Sequence, residues 1–244
     1  MILAAALLTA GCDSKLSGEI TTEETGVDCG YEILRIKGFS HVTCKYDSRT
    51  VAVTADKNLQ KYVKIRNNGN MLTVDASHAR IKATGDRPVT ISVPYSSSFE
   101  ELRMEGSSTF DFDFFTPPVL TINTKGSNIV TGILGGEKLI IKASGADSIL
   151  VDQDYEFLDL ELSGSCVAGT LMIPLRTHDK ADCKLTGSSI AYVEAGVTAG
   201  TAEDNSELHY VGDNRCRAKA FDSARIIHDR DKEPYDETKV QRYL

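Results

Sequence analysis

The chain has 244 residues, of which 41% are hydrophobic, 7% aromatic and 25% charged, and its formal net charge is −8. That length supports a sizeable core, and the acidic balance excludes a basic groove for nucleic acid. No apolar run reaches the roughly 18 residues of a transmembrane helix. The 19 Gly, 6 Pro and absence of Trp do not fit a collagen-like chain.

The chain opens MILAAALLTAGC, a short apolar stretch ending in Leu8-Thr9-Ala10-Gly11-Cys12, which resembles a bacterial lipobox. On that reading residues 1–11 are a signal peptide and Cys12 carries the lipid. Several acyl chains, at about 0.8 kcal/mol per buried CH₂, then hold the protein on a bilayer. One departure stands out: no Lys or Arg precedes the apolar run. Residues 12–30 read as the lipidated Cys and a polar, solvated tether.

Alternation begins beyond residue 31. Around Gly38 it predicts Leu34, Ile36, Val42 and Cys44 on one face. Val51/Val53, Leu72/Val74 and Val89/Ile91/Val93 mark further strands, separated by the turn signals Asn67-Asn-Gly-Asn and Gly85-Asp-Arg-Pro88. Asn68-Gly69 suits a tight hairpin. This segment is expected to cap one end of the repetitive region that begins near Glu100.

From Glu100 to His228 one pattern recurs: an alternating strand, a small-residue turn, a second alternating strand. The turns start at Gly106, Gly126, Gly145, Gly164, Gly187, Asp204 and Asp222, with spacings of 20, 19, 19, 23, 17 and 18. Gly and Asp tolerate the left-handed backbone such corners need. Counted from each corner, Leu102, Ile122, Ile141, Leu160, Cys183, Gly200 and Ala218 occupy one column four residues before it. Phe110, Val130, Ile149, Ala168, Ala191, Leu208 and Ile226 occupy another, four residues after it. Between them stand polar residues such as Arg103, Asn123, Lys142, Glu161 and Lys184. Coils stacked in one direction, apolar columns inward and polar columns outward, predict an all-β, right-handed parallel β-helix-like solenoid over residues 31–228, with an N-terminal β-strand cap region. Seven coils at about 4.8 Å would stand about 34 Å tall. A β-sandwich with regular hairpins is the competing arrangement. Residues 229–244, charged and containing Pro234, read as a tail or cap.

The lipobox, the alternation around Phe39 and the turns Glu105-Gly-Ser-Ser, Lys125-Gly-Ser, Ser144-Gly, Ser163-Gly-Ser and Thr186-Gly-Ser together resemble the bacterial adhesins of the head GIN domain family, over about residues 31–228. Asp204 and Asp222 depart from that pattern and put the geometry of the last corners in question. The resemblance implies a mostly β, solenoid-like, exported domain of Bacteroidota-type bacteria, and it brings no catalytic residues.

Candidate chemistry is sparse. His41, His78, His178, His209 and His228 lack metal-ligand spacing, and no nucleophile elbow or phosphate loop occurs. The frame turns His228 inward and His209 outward. Asp152/Asp154 and Asp229/Asp231 could take a weak Ca²⁺, although solvated loop acids are the commoner reading of such pairs. Phe110, Phe112 and Phe114 alternate with Asp111 and Asp113 and are expected to face the core. Cys44, Cys183 and Cys216 face inward as small hydrophobes; Cys183 and Cys216 lie two coils apart, too far for a disulfide. No catalytic, cofactor or metal residue is assigned. Five residues past their corners, Tyr192, His209 and Ile227 form an outward ladder, the candidate platform for sugar rings or protein.

The expected function is a non-enzymatic, lipid-anchored binding module of the cell envelope, at the outer membrane, facing periplasm or surface. Its expected partners are the membrane through Cys12, a glycan or protein surface, and further copies of itself, but no nucleic acid. A β-helix carbohydrate-active enzyme and a purely structural envelope component are the alternatives.

Overall fold

Side chains alternate between the two faces of a strand, and this chain makes those faces the inside and outside of a tube. A computed structural model of the chain describes residues 16–78, 89–212 and 215–229. The lipobox with Cys12, the Gly85-Asp-Arg-Pro88 turn and the tail past Asp229 lie outside the described residues.

In chain order the elements are β1 (Ile20–Gly26), β2 (Ile33–Gly38), β3 (His41–Lys45), β4 (Thr50–Asp56), the short helix α1 (Lys57–Gln60), β5 (Lys64–Asn68), β6 (Met71–Asp75) and β7 (Thr90–Pro94). The regular body comprises β8 (Glu101–Gly106), β9 (Thr109–Phe115), β10 (Val119–Gly126), β11 (Ile129–Gly145), β12 (Ser148–Gly164), β13 (Val167–Ala168), β14 (Leu175–Leu185) and β15 (Ile190–Ala202). It closes with β16 (Glu207–Val211), β17 (Arg215–Cys216), β18 (Lys219–Ala220) and β19 (Arg225–Asp229). Together they wind a β-solenoid of about seven turns.

Register partners on adjacent parallel strands run Leu102, Ile122, Ile141, Leu160, Cys183, Gly200. After the corner they run Phe110, Val130, Ile149, Ala168, Ala191, Leu208, Ile226. A sandwich built from hairpins would pair these strands antiparallel. The stacked side chains fill the tube: Leu102, Phe110, Ile122, Val130, Ile141, Ile149 and Leu208 are buried.

The corners explain the recurrent glycine. Gly126 has φ 134°, and a Cβ there would lie 2.1 Å from Gly106 O of the rung before. The residue after each corner donates its N–H to that same carbonyl ladder: Ser127 to Gly106 O at 2.8 Å, Ala146 to Gly126 O at 2.7 Å. At the glycine corners the rungs thus approach too closely for any side chain. Asp204 and Asp222 keep a left-handed backbone, φ 61° and 56°, which a short polar side chain tolerates. The Asp204 carboxylate accepts the Gly187 N–H at 2.8 Å. The strand frame continues unbroken past both.

The N-terminal segment caps one end as expected, and it also contributes rungs. Leu72/Val74 of β6 and Ile91/Val93 of β7 belong to the solenoid itself, parallel to β2 and β3. The chain lays down β2–β3, reverses to place β6–β7 on the outer side, then crosses back so that β8–β9 pairs with the other side of β2–β3. Among the described residues the antiparallel pairs are β1–β4, β4–β7 and β5–β6, and through them β1, β4 and β5 close the end. The Asn68-Gly69 turn joins β5 to β6, Gly69 having φ 65°. β1 lies within the segment read as a solvated tether. Its Thr-rich run has the β-branched character of an edge strand, and it pairs with β4 while its side chains stay largely exposed.

Aromatic packing fills this closed end. Phe112 rests on Phe99, Phe110 and Phe115. The buried Tyr31 donates its hydroxyl to Pro94 O at 2.6 Å, and burial pushes its ionisation far above the ordinary phenol range.

Candidate functional site

The side walls carry the candidate chemistry, because every outward column is fixed by the register of the rungs. The expected ladder is assembled on one wall. Tyr192 pairs with His209 and His209 with Ile227 on successive strands. The Tyr192 and His209 rings stack with centroids 4.3 Å apart and planes inclined by 24°. His209 is pinned at both nitrogens, Nδ1 to Asp229 at 2.8 Å and Nε2 to Glu207 at 3.3 Å, and Glu207 also binds Arg225. These contacts, the Arg225 hydrogen bond first among them, hold the Glu207 carboxyl below the usual carboxylate range. One strand position further, on the inner face, Tyr210 stacks on His228 at 4.3 Å, and His228 Nε2 meets Gly212 O at 2.7 Å.

On a second wall, Arg103, Asn123, Lys125, Lys142, Ser144 and Glu161 line a shallow groove of about 330 Å³. Arg35 bridges to Glu105 at 2.6 Å and Arg103 to Glu101 at 2.7 Å.

Among the described residues no group of three or more His, Cys, Asp or Glu side chains is arranged to hold a metal ion. Asp152 is engaged by Arg176, Asp154 by His178 at 2.6 Å and Asp229 by His209; Asp231 lies outside the described residues. Cys29, Cys44, Cys166, Cys183 and Cys216 are free thiols. Burial pushes the Cys44 thiol up to about 11 and Cys183 higher still, so both are protonated and unreactive near neutral pH.

Two arrangements escaped sequence reading. The third residue of most turns points inward and is polar: Ser40, Ser108, Asn128, Asp147, Ser189 and Ser206 are buried, while Cys166 and Ala224 take this place in two others. The polar ones hydrogen-bond along the axis. Ser108 N–H donates to Asn128 Oδ1 at 3.1 Å, and Asn128 N–H and Nδ2 donate to Asp147 Oδ1 at 2.7 and 2.8 Å. The signal was the run of Ser, Asn and Asp at one fixed offset. The second arrangement concerns Phe114. Phe110 and Phe112 face the core as expected, but Phe114 is 56% exposed and Phe115 turns inward instead. Asp113, at φ 58°, is the cause: β9 has one residue more than β11 between Asp111 and Phe114, a bulge that flips the alternation.

A parallel β-solenoid with glycine corners, a buried polar corner ladder and registered outward columns defines the class of protein. The family model described as "Putative auto-transporter adhesin, head GIN domain" matches residues 34–213, and the chain belongs to that family. The fold is similar to a crystal structure of "a putative adhesin" from Bacteroides fragilis NCTC 9343, with TM-score 0.72 and 14% identity over 88% of this chain and 99% of that chain. It is also similar to one from Parabacteroides merdae ATCC 43184, TM-score 0.65 and 16% identity, covering 88% and 98%. A "Putative lipid binding protein" from Parabacteroides distasonis ATCC 8503 matches with TM-score 0.65 and 19% identity over the same shares. Identities this low speak to the fold alone. No curated protein matches the chain.

Proposed function

We propose that the protein is a cell-envelope lipoprotein, anchored through Cys12 at the outer membrane, that works as a non-enzymatic, adhesin-like binding module. The observation that carries this reading is the registration of outward side chains into continuous columns, as in the Tyr192–His209 stack. A rigid wall repeating every 4.8 Å or so offers many weak contacts to an extended or repetitive partner, and such contacts multiply when several engage together. Family membership and the names of the similar structures support the adhesin-like part.

Beads coated with the full-length protein test the binding reading on surfaces of mucin, collagen and whole bacterial cells. Adhesion to at least one surface is expected, weakened by Tyr192→Ala where the ladder is engaged; beads that adhere to none contradict it. For the anchor, Cys12→Ser is expected to move the expressed protein from the membrane fraction to the soluble fraction, and unchanged membrane retention contradicts lipidation.

A further inference from the structure

Resting on the side-wall reading, we propose that one wall carries a lane for a neutral glycan chain, running along the tube axis from Tyr46 to Arg176. The bulge at Asp113 creates its apolar half. Phe114, turned outward, pairs in register with Ile133; Tyr46 donates its hydroxyl to Phe114 O and stacks on Tyr95 at 4.6 Å. Tyr46, Phe114 and Ile133 are 48%, 56% and 49% exposed. Large apolar groups in a contiguous exposed row mark an interaction site more often than isolated ones do.

The same column continues as charge. Ile133 pairs with Asp152, Asp152 binds Arg176, and Arg176 stands in register with Glu194. Here the wall opens into a cleft of about 340 Å³ lined by Gln153, Asp154, Arg176, Thr177, His178 and Glu194. A second bulge, between Thr177 and Lys180, displaces the strand at this point. Gln153 and Thr177 are almost wholly buried, yet Gln153 Oε1 and Thr177 Oγ1 have no hydrogen-bond partner. Both residues belong to the inward-facing set of their strands, alongside Val151, Tyr155 and Leu175, so the cleft offers a ligand its outward polar rim of Asp152, Asp154, Arg176, His178 and Glu194.

Sugar rings present an apolar C–H face and a rim of hydroxyls, matching a lane that is apolar along one half and polar along the other. Three carboxylates (Asp152, Asp154 and Glu194) outnumber the basic side chains Arg176 and His178, so charge complementarity disfavours an anionic polysaccharide. A protein partner would cover about 800 Å² on each side. The lane is instead a single column of outward side chains, bordered on β11 by the partly exposed Thr131 and Gly132, and suits a thin extended chain.

Affinity electrophoresis of the full-length protein through gels containing dextran, mannan or laminarin, with alginate as the anionic control, tests the lane. At least one neutral polysaccharide is expected to retard the protein. Phe114→Ser and Ile133→Thr should each weaken that retardation about tenfold, in line with the loss of one buried anchor, while Lys64→Ala, exposed on β5 at the closed end, leaves it unchanged. Both lane residues are half exposed, so the thermal midpoint should hold. Retardation by alginate alone, by nothing, or undiminished in both lane variants overturns the lane. Coated beads that still adhere in those cases leave the side-wall reading standing; beads that adhere to nothing remove that reading as well.

Discussion

The two ends of the tube solve the same problem with different means. At the N-terminal end β1, β4 and β5 cover the rungs and the aromatic cluster around Phe112 fills the space beneath. Further along the tube the stacked positions shrink to Cys183 and Gly200 in one column and to Ala168 and Ala191 in another, where Leu208 and Ile226 then restore the bulk, and Ala220 of the last rung is exposed. The corners change in parallel, from glycine to Asp204 and Asp222. Side-chain volume and corner residue change along the tube, whereas register holds outside the bulges of β9 and β14, because each rung's hydrogen bonds are fixed by its neighbour.

The sharpest way to break this comparison is at the corners. Gly126→Ala forces a Cβ to within 2.1 Å of Gly106 O on a positive-φ backbone, and is expected to cost about 3 kcal/mol or more. Asp204→Gly, at a corner that already accepts a side chain, should cost under about 1 kcal/mol. Urea denaturation midpoints of the two variants measure the contrast; equal losses would mean that the corners are not set by rung approach.

Core volume gives the next largest difference. Leu160→Ala in the middle of the stack should cost about 2–5 kcal/mol through the cavity it leaves. Ala202→Gly near the far end should cost about 1 kcal/mol or less. Asp147→Ala is expected to cost about 1–3 kcal/mol, because it strips the acceptor from two Asn128 donors in the dry corner ladder. Calorimetry on that variant should show a lowered midpoint with the strand signature retained.

The mildest effect concerns acid and the closed end. Asp56 caps α1 and is almost wholly buried. Burial raises its affinity for a proton, but the N–H groups of Ser17, Asn58 and Gly18 outweigh that and hold it at about 2, below its ordinary value of 3.8. A carboxyl depressed on folding contributes stability above its unfolded value, and that contribution disappears as pH falls from about 3.8 through 2. The thermal midpoint should therefore drop across this window in the native protein and drop less in Asp56→Asn.

Much of this architecture was legible in the residues. The columns through Ile122, Ile141 and Leu160 could be read because a period of two within strands and a small corner residue both repeat, and both leave marks in composition. The ligand-facing detail was not legible for a physical reason. Phe114 obeys the alternation that Phe110 and Phe112 begin, and only the left-handed backbone at Asp113 turns it outward. The order of the first rungs was equally hidden, since Leu72/Val74 and Leu102/Met104 are interchangeable as partners for Leu34/Ile36 until the chain path decides. The Tyr192–His209 contact was visible because it uses the regular frame; the Arg176 cleft was not, because it depends on a bulge.

Cross-linking across the outer wall probes the stacking itself. Thr121 and Ile140 are register partners on adjacent rungs, and a parallel-strand spacing of about 4.8 Å falls within disulfide reach. Thr121→Cys with Ile140→Cys should form an intramolecular disulfide under mild oxidation, whereas Thr121→Cys with Asp159→Cys, one rung further on, should stay reduced. Preferential closure of the Thr121/Asp159 pair, or of neither, would contradict the stacked register on which the binding walls depend.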